Sequence, residues 1–170
     1  MRKAVRFTVR LLAVLVILAV LALFAGLWAM RASLPVIEGE LILGGLSAPV
    51  TVSRDERGIA TIDAANEADA ARALGFVHAQ ERYFEMDLLR RSAAGELSAL
   101  FGPVAIGRDK EIRVHRLRAR LAEHLGQAAD GHLATLEAYR DGVNDGLLAL
   151  DARPWPYLLL RAQPEPWTLE

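Results

Sequence analysis

The feature that most constrains this 170-residue sequence is a run of twenty consecutive residues, 11–30, without a charged side chain. The hydrocarbon core of a bilayer is about 30 Å thick and is crossed by about 20 helical residues, so the run is long enough to span a membrane. The next basic residues after the run are Arg31 and Arg54, whereas four precede it: Arg2, Lys3, Arg6 and Arg10. This asymmetry predicts that residues 1–10 stay in the cytoplasm and that everything after residue 30 is exported.

A cleaved signal peptide is the alternative interpretation of the same run. Signal peptides have apolar cores of roughly 7–15 residues and a small-x-small cleavage site. This core is longer, and leucine lies at the −3 position of the best-placed small residues, Ala25 and Ala29. We therefore favour an uncleaved transmembrane anchor at residues 11–30, followed by a tether at 31–38 in which Pro35 prevents helix continuation.

The exported part, residues 39–170, changes its hydrophobic period along the chain. Val50 and Val52 alternate with polar residues, the connection 55–58 ends in glycine, and residues 59–62 form the returning strand, so the pattern predicts a β-hairpin. From Asn66, a helix cap, the period becomes helical up to Gly95. Its predicted buried stripe consists of Ala73, Val77, Gln80, Phe84 and Leu88.

Two more helices are predicted, over residues 110–125 and 131–150, before a proline- and tryptophan-rich end. Gly142 and Gly146 weaken the last helix by about 1 kcal/mol each relative to alanine, unless they permit close packing against another element. The fold class predicted from these patterns is α+β, mainly helical, with an N-terminal β-hairpin and one preceding transmembrane helix.

The residues that could carry chemistry lack the expected neighbours. There is no cysteine, and none of the five serines lies in a G-x-S-x-G or S-x-x-K motif. The four histidines show no H-E-x-x-H spacing, so we predict no metal ligand. We also predict no catalytic residue within this chain, because an activated nucleophile needs a base beside it.

The charge pattern argues against nucleic acid as a partner. The formal net charge is −1. Basic residues concentrate between Arg108 and Arg120, but Asp109 and Glu111 dilute them, and export separates the domain from DNA. We interpret this stretch as a solvated helix face with ion pairs.

Several phrases in register resemble the opening of the penicillin acylase family. Residues 50–59 (VTVSRDERGI) are similar to its V-x-V-x-R-D-x-x-G-[VI], and residues 75–91 (GFVHAQERYFEMDLLRR) to its G-[YF]-V-x-A-Q-D-R-[LF]-F-Q-M-[DE]-x-x-R-R. Residues 94–102 (AGELSALFG), 139–144 (YRDGVN) and 164–167 (PEPW) resemble later phrases of the family in the same order. Departures are the ATI at residues 60–62, Glu81 where the family has Asp, and Glu85 where it has Gln.

The resemblance implies an N-terminal-nucleophile hydrolase of αββα fold, of which this chain would be the N-terminal part. In such enzymes a zymogen cuts itself into an α chain and a β chain. The new N-terminal residue of the β chain, usually serine, attacks an amide carbonyl with its own amine as the base. Backbone N–H groups and an asparagine stabilise the oxyanion. A calcium ion commonly bridges the two chains, and no nucleophile or calcium ligand of the pattern falls within residues 1–170.

The resemblance also implies a role and a place for this chain. Five residues are expected to build a structural network that helps to hold the β chain: Gln80, Arg82, Asp87, Arg90 and Arg91. We expect a bacterial inner-membrane protein with a periplasmic domain, which hydrolyses an N-acyl substrate such as a β-lactam side chain or an acyl-homoserine lactone. Because the sequence stops in mid-phrase at residues 168–170, we expect it to be a truncated gene product or a fragment of a longer precursor. A non-catalytic, membrane-tethered helical protein that binds a partner or is structural is the alternative.

Overall fold

The computed structural model describes residues 2–169, which form helices and one small sheet. The elements in chain order are α1 (Arg2–Ala32), β1 (Thr51–Arg54), β2 (Ala60–Asp63), α2 (Glu67–Ala94), α3 (Ser98–Phe101), a 3₁₀ helix (Gly102–Ala105), α4 (Ile106–Arg113), α5 (Leu117–Leu125), α6 (Asp130–Leu148) and α7 (Trp155–Leu160). The predicted combination of a mainly helical chain with a two-stranded antiparallel hairpin is confirmed.

Helix α1 contains the charge-free run and continues beyond it at both ends. Within the described residues it is the one helix long and apolar enough to cross a membrane, over Arg6–Ala32. It ends three residues before Pro35, as the proline predicts. Beyond this end the backbone carbonyl of Ala32 accepts a hydrogen bond of 3.1 Å from the backbone N–H of Ala152, which ties the end of α1 to the segment before α7.

The β1–β2 hairpin pairs Val52 with Ile62 and closes through a turn that needs glycine. Gly58 has a φ of 77°, a left-handed conformation that glycine adopts without steric cost. The Asp55 carboxylate accepts bonds from the backbone N–H groups of Arg57 (2.9 Å) and Ile59 (2.8 Å). The predicted hairpin and its turn are therefore confirmed.

Helix α2 begins where the sequence predicts, because the Asn66 side chain accepts a bond of 2.9 Å from the backbone N–H of Asp69. Its predicted stripe holds only in the first half. The helix kinks at Arg82, which has a φ of −148° and a ψ of 33°. After the kink the fully buried positions are Tyr83, Asp87 and Arg91, spaced by four residues, whereas Phe84 and Leu88 of the predicted stripe are half-buried.

Helices α2 and α6 pack backbone to backbone through glycines. A Cβ atom on Gly142 would lie 1.9 Å from the carbonyl oxygen of Arg72, and one on Gly146 would lie 2.4 Å from that of Phe76. On the other side, a Cβ atom on Gly75 would lie 2.2 Å from the Tyr139 carbonyl oxygen. The close packing offered as the alternative role of Gly142 and Gly146 is thus confirmed.

One sequence prediction about helices is wrong, and one helix was not predicted. The single helix predicted over residues 110–125 is two helices, α4 and α5, separated at Arg116, which adopts a left-handed φ of 52°. The proline-rich end was not predicted to be helical, but it contains α7, with Pro156 in its first turn, where a missing N–H costs no helical bond.

Candidate functional site

A buried carboxylate, that of Asp87, organises the centre of the domain. Its Oδ1 atom accepts bonds from Arg90 Nη2 (2.6 Å) and Nε (3.1 Å). Its Oδ2 atom accepts bonds from Arg91 Nε (2.9 Å) and from the Tyr157 hydroxyl (2.6 Å). The carboxylate is fully buried, yet both oxygens are satisfied. We call Asp87, Arg90, Arg91 and Tyr157 the Asp87 cluster.

The electrostatics of the cluster favour an ionised carboxylate. Burial acts to raise the pKa of Asp87, but hydrogen bonds from Tyr157, Arg90 and Arg91 outweigh it, and the pKa lies below its ordinary value. Burial, together with donation to Asp87, raises the pKa of the Tyr157 hydroxyl. Burial likewise raises the pKa of Tyr83 to about 12. Both phenols are therefore protonated donors near neutral pH.

The cluster holds the segment 165–167 against α2 and α6. Arg90 Nη1 donates to the Pro166 carbonyl oxygen at 2.8 Å. The Tyr83 hydroxyl donates to the Glu165 carbonyl oxygen.

Asn144 holds Trp167 through two hydrogen bonds. Its side chain accepts from the Trp167 N–H (2.7 Å) and donates to the Trp167 carbonyl oxygen (3.0 Å). The Arg90 guanidinium lies 4.7 Å from the centre of the Trp167 ring, a cation–π contact.

The structure brings together three of the five residues assigned to the predicted network: Asp87, Arg90 and Arg91. Gln80 lies elsewhere, with its amide 3.5 Å from the Val36 carbonyl oxygen. The Arg82 side chain is 59% exposed and reaches Glu81 at 3.6 Å. The spacing of three and four residues between Asp87 and its arginines is typical of pairs on a helix surface, but these pairs lie in the core, because the kink before Tyr83 turns Asp87 inward.

Sequence reasoning missed the residues that complete this site: Tyr83, Asn144, Tyr157 and Trp167. The contact of Asp87 with Tyr157 spans seventy residues of chain, and no local spacing records it. A signal for two of them was present, because Asn144 and Trp167 close the family-like phrases at residues 139–144 and 164–167.

Two further aspartates brace the backbone. Asp69 accepts bonds from the Ser47 N–H (2.9 Å) and hydroxyl (2.6 Å), and its pKa is lowered chiefly by these bonds. Asp109 accepts bonds from the N–H groups of Leu97 (2.9 Å) and Ser98 (2.8 Å) at the start of α3; its pKa is lowered because these bonds outweigh burial. These contacts give Ser47 a structural role, since its hydroxyl donates to a carboxylate.

Other chemical groups do not converge on a reaction centre in the described part of the chain. His78 Nδ1 lies 3.0 Å from the Tyr139 hydroxyl, which links α2 to α6. Residues 2–169 contain no group of three or more His, Asp or Glu side chains placed to hold a metal ion. The arrangement positions the backbone of the chain, most clearly that of the segment 165–167.

Two open clefts flank the Asp87 cluster. One, of about 960 Å³, contains the arginines Arg90, Arg91, Arg113, Arg118 and Arg140. The other, of about 710 Å³, lies between α2, α5 and α6. We call it the apolar groove, and the side chains that define it are Met86, Leu89, Leu117, Leu121, Leu125, Leu136, Tyr139 and Trp167.

Comparisons with known proteins agree with the motif pattern. A family model described as penicillin amidase matches residues 49–170. The chain is 46% identical over 142 residues to penicillin acylase 2 proenzyme of Pseudomonas sp. (strain SE83), covering 82% of this chain and 18% of that protein. It is 32% identical over 139 residues to acyl-homoserine lactone acylase QuiP of Pseudomonas aeruginosa, covering 81% of this chain and 16% of that protein.

A solved structure supports the same relationship. The thermostable penicillin G acylase from Alcaligenes faecalis superposes with a TM-score of 0.65 at 28% sequence identity, covering 71% of this chain and 66% of that one. The chain thus spans less than a fifth of the length of the two curated relatives, 18% and 16%.

Proposed function

The chain belongs to the penicillin amidase family, and from this premise we propose that it is the N-terminal, α-chain part of an amidohydrolase that cleaves the amide bond of an N-acyl substrate. The observation that carries the proposal is the family match over residues 49–170, which covers the whole exported domain except its first residues. The hairpin and the α2 helix, whose phrases carried the resemblance, fold as distinct elements within that match.

The catalytic apparatus is proposed to lie outside these residues. The relatives are several times longer than this chain, and one is called a proenzyme. We propose that the full-length protein cuts itself and completes an αββα N-terminal-nucleophile fold with a β chain, whose first residue supplies both nucleophile and base. A calcium ion that bridges the two chains is part of this proposal; residues 2–169 contain no group of three or more His, Asp or Glu side chains that would hold it alone.

The Asp87 cluster is proposed to be scaffold for that assembly. Asp87 fixes Arg90 and Arg91, and Arg90 together with Asn144 fixes the backbone at residues 165–167. Whatever follows these residues therefore leaves the domain from a defined position. The apolar groove beside the segment is proposed to receive the β chain, because an open apolar surface of this kind is typical of a protein interface.

The substrate is proposed to be an N-acyl amide of one of two chemical classes. The names of the relatives specify penicillins for one group and acyl-homoserine lactones for the other. We propose that the enzyme works on the periplasmic side of a bacterial inner membrane, held by α1 as a single-pass anchor. The support for this location is the length and composition of α1 and the basic residues that precede it.

The experiment that tests the proposed function begins with the gene beyond the codon for Glu170. The full reading frame is expressed, and hydrolysis of penicillin G and of a long-chain acyl-homoserine lactone is measured by release of the free amine. We expect a downstream processing site followed by serine, two chains on a denaturing gel, and loss of both processing and activity when that serine is changed to alanine. A frame that stops without a β-chain region, together with no amide hydrolysis, would support the non-catalytic tethered protein instead.

A further inference from the structure

Helix α7 has large apolar side chains on two opposite sides. Tyr157 is fully buried and donates to Asp87, so one side of α7 packs on the domain core. Trp155 and Leu159, four residues apart and therefore on one side of the helix, are 51% and 74% exposed. A six-residue helix that turns tryptophan and leucine away from its own core presents a surface for an apolar environment.

This surface lies next to the end of the helix that is long enough to span a membrane. Trp155 lines a cleft of about 600 Å³ together with Leu27, Met30 and Leu34. The hydrogen bond from the Ala152 N–H to the Ala32 carbonyl oxygen fixes the same junction through the backbone. Because a spanning helix emerges from the bilayer at its last turn, a membrane crossed by α1 would bring α7 to the level of the lipid headgroups.

The surrounding residues suit that level. Tryptophan is enriched at membrane–water interfaces, where its ring meets acyl chains and its N–H meets water. Arg31 at the end of α1 and Arg161 at the end of α7 are both exposed, and each can contact a lipid phosphate. The acidic residues near this junction are the exposed Asp151 and, in a neighbouring cleft that also contains Leu34 and Trp155, the exposed Glu81 and Glu85.

We propose that Trp155 and Leu159 of α7, with Leu34 of the tether, form an interfacial lipid-binding surface that seats the exported domain against the bilayer crossed by α1. The inference rests on the membrane anchoring included in the proposed function. It adds that the domain does not project freely on its tether but lies with α7 in the outer headgroup layer. The occupant of the surface is therefore the phospholipid bilayer itself.

Site-specific fluorescence tests this inference, because the chain has no cysteine of its own. Single cysteines are introduced into the full chain as Leu159→Cys, Val104→Cys and Leu18→Cys and labelled with an environment-sensitive fluorophore. Val104 is the matched control, an apolar residue that is 87% exposed on the 3₁₀ helix. The proteins are reconstituted into phosphatidylcholine vesicles containing lipids with a nitroxide quencher at either headgroup or deep acyl level. Trp155→Cys provides a second label on α7.

We expect the labels at 159 and 155 to be blue-shifted and quenched by headgroup nitroxide several-fold more strongly than the label at 104, while the deep nitroxide quenches the label at 18. If 159 and 155 are quenched no more than 104 while 18 is still quenched, the anchor stands and the inference is wrong. A blue shift at 159 without lipid quenching would mean that protein covers the surface, which also overturns it. If 18 is not quenched, the membrane anchoring fails and the inference fails with it.

Discussion

At the scale of single residues, Asp87 is the group whose loss should cost the domain most. In Asp87→Asn, the guanidinium groups of Arg90 and Arg91, which are buried or nearly so, lose the carboxylate that both contact. Arg91 then keeps only the exposed carboxylate of Glu165, at 3.2 Å. Removing one partner of a buried ion pair costs about 3–5 kcal/mol in the free energy of unfolding. The measurement is urea unfolding of residues 1–170 in mild detergent, followed by circular dichroism.

Tyr157→Phe is the matched control for this variant. It removes one hydrogen bond to the same carboxylate and keeps the ring, so we expect a loss of about 1.5–3 kcal/mol. If Asp87→Asn proves no more destabilising than Tyr157→Phe, the carboxylate is not the centre of the cluster.

His78 should make the stability of the domain depend on pH. Burial lowers the pKa of His78, and Arg82 lowers it further while Glu81 opposes. The folded state thus favours the neutral ring. The contribution of His78 to the free energy of unfolding is complete above the ordinary histidine pKa of about 6.5 and is lost as the pH falls through the lowered pKa. We expect the free energy of unfolding to decrease on acidification from pH 7.5 through this window.

His78→Gln keeps a polar group near the Tyr139 hydroxyl and should flatten the profile in that window. His124→Gln, on an exposed position of α5, should leave it unchanged. An equally steep profile in His78→Gln would assign the pH dependence to other groups.

The residues of the site were only partly predictable from the sequence. The spacing of Asp87 before Arg90 and Arg91 predicts their ion pairs, because residues three and four apart on a helix are neighbours. The burial of Asp87 was not predictable, because no proline or glycine lies at the Arg82 kink to indicate it. The contact of Tyr157 with Asp87 was not predictable for a different reason: long-range contacts are set by packing and produce no periodic pattern in the sequence.

At the scale of elements, the contact between α2 and α6 depends on glycine. In Gly142→Ala the new Cβ atom meets the Arg72 carbonyl oxygen, which belongs to backbone and cannot rotate away. Overpacking of this kind costs about 1–3 kcal/mol or more and outweighs the gain of about 1 kcal/mol in helix propensity. We expect a clearly lower free energy of unfolding, measured by urea titration in the same detergent.

Gly131→Ala supplies the control from the same helix. A Cβ atom there meets nothing within 4 Å, so alanine should be neutral or slightly stabilising. Equal stability of the two alanine variants would mean that α2 and α6 do not approach as closely as described.

Element boundaries were predictable where local chemistry marks them. Asn66 before α2 and Gly95 after it are a helix cap and a left-handed terminator, and both act as such. The break between α4 and α5 escaped prediction because arginine, not glycine, takes the left-handed conformation at residue 116. Helix α7 escaped because its six residues are too few to show a helical period.

At the scale of the whole molecule, the apolar groove predicts how residues 31–170 behave by themselves. Leu117 and Leu121 of α5 remain 44% and 42% exposed beside the groove. We expect purified residues 31–170 to be poorly soluble or unstable and to bind a hydrophobic dye. Leu121→Gln should weaken dye binding. Leu159→Gln, outside the groove, should leave the dye binding at the groove unchanged. Clean cooperative unfolding of residues 31–170 without dye binding would contradict this expectation.

The clamp of Asn144 on Trp167 has a consequence for hydrogen exchange. The Trp167 amide lies in a segment without helix or strand, where exchange with solvent is ordinarily fast. Here its proton is bonded to the Asn144 side chain of α6, while Arg90 of α2 covers the ring. We expect this amide to exchange as slowly as amides in the middle of α6, as measured by deuterium uptake, and Asn144→Ala to release it. Slow exchange of the Trp167 amide, which belongs to no helix, would then measure how often α2 and α6 separate.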